Sequence, residues 1–286
     1  MIIAQGLTKL YDQFLAVDNI NFEINQGEIF GFLGPNGAGK TTTIRMLAAI
    51  FPPSSGRATI ANFDVVEDAM EVRSRVGLLS ENPNLYERLT ARENLDFFAR
   101  LYDVPAEQIP NRIDFLGDLF DLRMRLDERV GTYSKGMKQK LAIAKALIHD
   151  PPILFLDEPT SALSPEAAKV IRDLLTDLAK DRSRTICICT HNLFDAERLC
   201  DRVAIIRQGR ILTIGTPSQI SSSFSGPPLV RFSFQQVTDS LIQTISKVEG
   251  VLEVEKHPVK NDIMIKVDNH EQITPKIVRE IVTKNQ

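Results

Sequence analysis

The stretch GPNGAGKTT, Gly34 to Thr42, follows an apolar run, EIFGFL, and leads into a helical pattern, TIRMLAAI. No other feature limits the possible folds as severely. Glycines in such a loop let backbone N–H groups point at phosphate oxygens with no Cβ in the way, and the following helix adds its positive N-terminal end. The spacing G-x-x-x-x-G-K-T completes a P-loop. Gly34, Pro35, Asn36, Gly37, Ala38, Gly39, Lys40, Thr41 and Thr42 are therefore expected to bind ATP. Lys40 would reach the β- and γ-phosphates, and the Thr41 hydroxyl would ligate Mg²⁺. A plain glycine-rich turn is the competing reading, and the strand–loop–helix context speaks against it.

Around this loop, short β-rich runs alternate with helical patterns up to about residue 215, the order expected of strands joined by crossover helices. EIFGFLG, RVGLLS, PILFLDE, TICICT and VAIIRQG read as strands, several without a polar face, as happens where helices cover both sides of a sheet. From about residue 83 the pattern changes. TARENLDFFARLYDV and RIDFLGDLFDL place apolar residues three and four apart with no strand between them. The expected fold is thus an α/β P-loop NTPase over residues 1–215, with a helical subdomain inserted at about 83–140. GTPSQISSSFSGPP concentrates Ser, Gly and Pro without periodicity, which marks a linker over 216–228. Residues 229–286 read as a small α+β module: strand LVRFSF, helix TDSLIQTISKV, strands VLEVEKH and DIMIKVD, and a helix from Thr274 with Pro275 in its first position.

Charge is balanced, with 34 basic against 37 acidic residues in 286, so no strong field favours nucleic acid or an anionic bilayer. The tail divides its charges evenly too, eight Lys/Arg against eight Asp/Glu from Leu229 onward, and no nucleic-acid partner is expected. No apolar run approaches the ~20 residues that span a bilayer, and the start MIIAQGLTKLYDQF has no charged leader, so a cytoplasmic location is expected. Cys187 and Cys189 in RTICICT fall on one strand face and read as core packing, ahead of a redox or metal role.

Two further segments carry chemistry. ILFLDEP, Ile153 to Pro159, is an apolar strand ending in two acids, and acids at a strand's carboxyl end face ligands more often than a core. Asp157 would hold Mg²⁺ and Glu158 would act as general base on the attacking water. Capping of a turn before Pro159 is the alternative. TYSKGMKQKLAIAKAL, Thr132 to Leu147, opens on Ser134 and Gly136 and continues as a helix whose Met137, Leu141, Ala144 and the later Ile148 form an apolar stripe, with Lys138 and Lys145 expected on a solvated face.

The order of these motifs resembles the ATP-binding cassette (ABC) ATPases over about residues 1 to 215. YSKGMKQK stands at the place of that family's signature motif, usually LSGGQ, with Tyr133, Lys135 and Met137 replacing the usual Leu, Gly and Gln. The resemblance implies that Ser134, Lys135, Gly136 and Met137 contact the ATP of a second copy of the chain, in a head-to-tail homodimer sandwiching two nucleotides. It also implies that Tyr11 stacks on adenine, that Glu81 stands where a Gln contacts Mg²⁺ and the attacking water, that Ser164 in SALS replaces an interface Asp, and that His191 is the switch histidine beside the γ-phosphate. The later segment DAERLCDRVAIIRQGRI and the small tail look like the ABC-2 type exporter ATPases of drug and sodium export. By that resemblance the chain is an ATPase that needs ATP and Mg²⁺ and drives a separate integral membrane permease, on whose inner face it sits. A soluble ABC ATPase working on a macromolecular complex, an ATP-dependent interaction protein with little turnover, and a P-loop kinase are the competing readings, the last leaving the signature segment unexplained.

Overall fold

The computed structural model of the chain describes residues 1–82, 84–179, 184–224, 228–257 and 261–284. It divides into two compact units, Met1–Ile220 and Ser221–Gln286. In the first, β1 (Ile2–Tyr11), β2 (Phe14–Ile24), β4 (Ser55–Ile60) and β5 (Phe63–Asp64) form an antiparallel sheet in the order β2-β1-β4-β5. The strands β3 (Ile29–Leu33), β6 (Val76–Leu79), β7 (Ile153–Asp157), β8 (Thr185–Thr190), β9 (Arg202–Arg207) and β10 (Arg210–Gly215) form a second sheet, ordered β10-β9-β3-β8-β7-β6. Only the β9–β10 pair in it is antiparallel.

The five strands read from sequence all lie in this second sheet, and the reason they lack a polar face is visible in the packing. Phe30 and Phe32, Ile153 and Phe155, and Cys187 and Cys189 point into one core, shared with the antiparallel sheet and α1 (Lys40–Leu47). Their alternates Ile29, Leu154, Leu156, Ile186 and Ile188 point into the other, beneath the remaining helices. A period of two sends successive side chains to opposite faces, and here both faces are covered. The antiparallel sheet carries no such clean signal. Register shifts interrupt the β1–β2 pairing at three places, and Gly6 and Asn19 have positive φ, which breaks the alternation that would have announced these strands.

After α2 (Ala69–Ser74) and β6, α3 (Ala91–Leu101), α4 (Ile109–Leu119) and α5 (Lys135–Ala146) follow before β7. A capping box starts α3: Thr90 Oγ1 accepts from Glu93 N–H at 3.1 Å and Glu93 Oε2 accepts from Thr90 N–H at 2.7 Å. Asn94, fully buried, ties the preceding loop to this helix by accepting from Tyr86 N–H at 2.8 Å and donating to the Tyr86 and Thr90 carbonyls at 3.0 and 2.8 Å. Around α5 the apolar surface is broader than a stripe, since Ala142, Ile143, Ala146 and Leu147 are buried along with Leu141, Ala144 and Ile148. Beyond β7 come α6 (Pro165–Ala179) and, after β8, α7 (Leu193–Leu199).

The stretch expected to be a linker over 216–228 is partly a helix, α8 (Pro217–Phe224). Its start is a second capping box, Thr216 Oγ1 accepting from Gln219 N–H at 3.2 Å and Gln219 Oε1 from Thr216 N–H at 2.9 Å, with Pro217 in first place and Ile220 buried. That T-P-S-Q signal was masked by the serines after it.

In the second unit β11 (Leu229–Ser233), α9 (Asp239–Ser246), β12 (Val251–Lys256), β13 (Asp262–Val267) and α10 (His270–Lys284) build an antiparallel sheet ordered β11-β13-β12 with its own core of Ile245, Ile263, Ile265, Val267, Ile273 and Ile277. The last helix does not begin at Thr274. Asn269 Oδ1 accepts from Glu271 and Gln272 N–H at 3.1 and 3.2 Å, so the helix starts a turn earlier and Pro275 lies inside it.

Candidate functional site

Strands β3, β7 and β8 end side by side, with Leu33 paired to Thr190 and Asp157 to Cys189, so whatever leaves their carboxyl ends converges. From β3 the chain turns through Gly34–Gly39 into α1. A Cβ on Gly34 would lie 2.2 Å from the Ile206 carbonyl oxygen, and one on Gly39, whose φ is +104°, would lie 2.6 Å from that of Ala16. Only glycine fits either place. Gly34 N–H donates to Thr190 O at 3.2 Å and Gly209 N–H to Ala38 O at 3.0 Å, which pins the loop to its neighbours.

A cavity of about 290 Å³ opens above the loop, lined by Asn36 to Thr42, Glu81, Asp157 and Glu158, with Phe14 and Ala16 of β2 as a further wall. Gly34 and Pro35 stand behind it, their carbonyls accepting from Lys40 Nζ at 2.7 and 3.1 Å. Lys40 is 5% and Glu158 11% exposed, and Nζ lies 3.6 Å from Glu158 Oε1, so the two charges compensate each other out of water. The same Oε1 is 2.9 Å from His191 Nδ1, which donates while Glu158 is a carboxylate. Burial raises the Asp157 carboxyl above its ordinary range, with Glu158 and Glu81 adding to the effect, while the Thr41 hydroxyl and Lys40 oppose it.

The folded chain thus gathers the loop, Glu81, Asp157, Glu158 and His191 in one place. Tyr11 is not on the wall of that cavity: it ends β1 half-exposed, edge-on to Phe51 at 6.0 Å, with Lys9 Nζ 5.3 Å from its ring centroid. Phe14, which no motif marked, is on the wall, because the β1–β2 hairpin brings it there.

None of Ser134, Lys135, Gly136 and Met137 lines this cavity either. Ser134 caps α5, its Oγ accepting from Met137 N–H at 3.2 Å, and with Lys135 it is exposed. Gly136 faces Ala167, and the Met137 side chain packs against the larger core. Ser164 caps α6, accepting from Ala167 N–H at 3.3 Å. Of the two α5 lysines expected on a solvated face, Lys138 is half-buried and pairs with the exposed Glu87, whereas Lys145 folds over Phe98, 4.7 Å from the ring centroid. Burial lowers Lys145 to about 8. Helical spacing gave Lys145 to water, but Phe98 of α3 packs over it.

Residues 17–161 match the family described as ABC transporter. The ABC transporter ATP-binding protein NatA of Bacillus subtilis (strain 168) is 41% identical over 209 residues, 73% of this chain and 85% of NatA. The linearmycin resistance ATP-binding protein LnrL of the same organism is 30% identical over 280 residues, 98% of this chain and 90% of LnrL. The bacitracin transport ATP-binding protein BcrA of Bacillus licheniformis is 44% identical over 212 residues, 74% of this chain and 68% of BcrA. Among solved structures, cbiO1 from Clostridium perfringens, part of the ABC transporter complex cbiONQ, superposes with a TM-score of 0.71 at 29% identity, covering 77% of this chain and 90% of cbiO1. A dimeric ATP-binding cassette in a post-hydrolysis state, bound to ADP and Pi, gives 0.69 at 26% identity, covering 76% and 99%. Read together with the phosphate loop and the acids gathered around it, these likenesses mean that the chain belongs to the ABC transporter family, as one of its ATP-hydrolysing cassettes.

Proposed function

We propose that this chain is the motor of an exporter: two copies close around two ATP molecules, hydrolyse them, and pass the closure to a separate integral membrane permease. The observation that carries the catalytic part is the contact of one carboxylate oxygen, Glu158 Oε1, with both His191 Nδ1 at 2.9 Å and Lys40 Nζ at 3.6 Å, on the wall of the phosphate cavity. Backbone N–H groups of the loop and the start of α1 hold the phosphates. Lys40 leaves the Gly34 and Pro35 carbonyls for the β- and γ-phosphates, which parts it from Glu158. The freed carboxylate, steadied by His191, takes a proton from the attacking water. The ring of Tyr11 or of Phe14 offers a face to the adenine.

The residues also fit Mg²⁺. Thr41, Asp157 and Glu81 are hard oxygen donors, and three carboxylates against one lysine leave an excess of negative charge on the cavity wall. Among the described residues no group of three His, Cys, Asp or Glu side chains could hold a metal alone, which suits an ion that takes its remaining ligands from phosphates and water. When bound, it would neutralise charge developing on the phosphate oxygens.

The exposed Ser134 edge and the start of α5, which do not line the chain's own cavity, supply the partner's γ-phosphate site in this reading. Tyr86, Phe97 and Leu101, 47%, 44% and 63% exposed, form an apolar patch on α3 and the loop before it that suits docking of permease helices. Among the described residues no helix is long and apolar enough to cross a membrane, so the permease would be a separate chain and this one would sit on its cytoplasmic side. The export direction rests on likeness to proteins named for Nod factor export and fluoroquinolones export. Residues 1–215 would be the nucleotide-binding domain and the tail module an accessory to it, with no nucleic acid involved.

Glu158→Gln tests the whole reading. Purified from membranes with ATP, the variant is expected to come as a dimer with an integral membrane protein, and its turnover to fall by about 10²–10⁴-fold with nucleotide still bound. Undiminished hydrolysis would remove the base; a monomer with no membrane companion would remove the exporter.

A further inference from the structure

Past the cavity wall, the turn Glu158–Pro159–Thr160–Ser161 is gripped from two sides by residues that do not line the cavity. On one side Gln139, five residues after Ser134 on α5, donates from Nε2 to the Pro159 carbonyl at 2.8 Å. On the other, Asp195, four residues after His191 on α7 and only 2% exposed, accepts from the Thr160 hydroxyl through Oδ2. Its Oδ1 accepts from Arg172 Nη1 at 2.9 Å. Arg172, on α6, is 13% exposed, and its guanidinium carbon lies 5.1 Å from the Phe194 ring centroid. A carboxylate this buried needs a compensating charge, which Arg172 supplies to one oxygen while the other is left for Thr160.

The turn needs such support. Glu158 has φ of +51° and Ala162 +57°, the left-handed region that side chains disfavour, and such backbone persists only where its surroundings over-determine it. Two backbone bonds contribute, Glu158 N–H to Cys189 O at 2.9 Å and Ser161 N–H to Glu158 O at 3.1 Å. The side-chain grips supply the rest, and on the proposed function, on which this inference rests, each comes from a helix that starts beside a nucleotide: α5 opens at Ser134, at the partner's, and α7 follows His191.

We infer that Asp195 and Gln139 are positioning residues for Glu158. Asp195 acts through the Thr160 hydroxyl and Gln139 through the Pro159 carbonyl, and together they hold the base against His191. The grip works on the chemical step and not on nucleotide affinity, because the phosphate-holding loop is anchored elsewhere, to Thr190 and Gly209.

Thr160→Val separates this role from a merely structural one, since it removes the hydroxyl at nearly constant volume and leaves the Asp195–Arg172 pair intact. In the full chain its kcat is expected to fall about tenfold or more, as loss of catalytic alignment does, with the Kd for ATP within about twofold of the wild type. Thr160→Ser is expected to restore kcat. Gln139→Leu, on the opposite side of the turn, is expected to reproduce the same split and so keeps the inference testable if Thr160→Val folds poorly. An unchanged kcat in both variants would overturn it, and so would a loss of ATP affinity in step with kcat that Thr160→Ser does not repair.

Discussion

Lys145 shows what burial does to a single charge. Its ammonium lies over the Phe98 ring, which favours the charged form, yet desolvation outweighs that attraction and lowers the group to about 8. Between pH 8 and the ordinary lysine value near 10.5, the unfolded chain keeps a proton that the folded chain has released, so this residue's contribution to stability rises with pH across that window. Lys145→Met is therefore expected to flatten the rise in melting temperature above pH 8, as thermal denaturation across pH would record. At this scale the sequence was legible where chemistry is local in the chain. Lys40, Thr41, Asp157 and Glu158 sit in short motifs whose residue types have few other uses. Phe14, Gln139 and Asp195 were not legible, because each acquires its role from a segment distant in the chain: Asp195 meets Thr160 across 35 positions.

Among elements, the loop over 84–90 is tied to α3 by one amide. Asn94 is fully buried and spends its side chain on Tyr86 and Thr90, so the loop's course depends on α3 being formed. Asn94→Leu would leave the Tyr86 N–H without its partner, while the Tyr86 carbonyl keeps the Leu89 N–H, a loss of about 2 kcal/mol. In a unit of this size that corresponds to a fall in melting temperature of roughly 4–8 °C, measurable by calorimetry. Five of the six strands of the mixed sheet were readable because covered faces make them apolar, whereas β10 alternates exposed and half-buried residues and β1 and β2 were hidden by their bulges. The start of α8 was written in T-P-S-Q, but the serine-rich composition after it outweighed four residues of capping chemistry.

The molecule as a whole carries separate hydrophobic cores for its two units. Ile265, fully buried in the smaller unit, is remote in sequence from every residue of the nucleotide cavity. Ile265→Ala is expected to cost that unit about 2–5 kcal/mol. Two calorimetric transitions should then be seen, with ATP shifting only the one that the substitution leaves in place. In the larger unit β3 is flanked by β8 and β9, strands made more than 150 residues later. A ribosome therefore finishes the phosphate loop long before it makes the scaffold on which that loop rests. Until residue 190 has emerged Gly34 has no Thr190 to bind, and until residue 206 has followed it has no Ile206 carbonyl beside it, so a nascent chain displays the motif without its grip. Affinity for nucleotide is in this sense a late-born trait, acquired by the cassette only when its synthesis is nearly done.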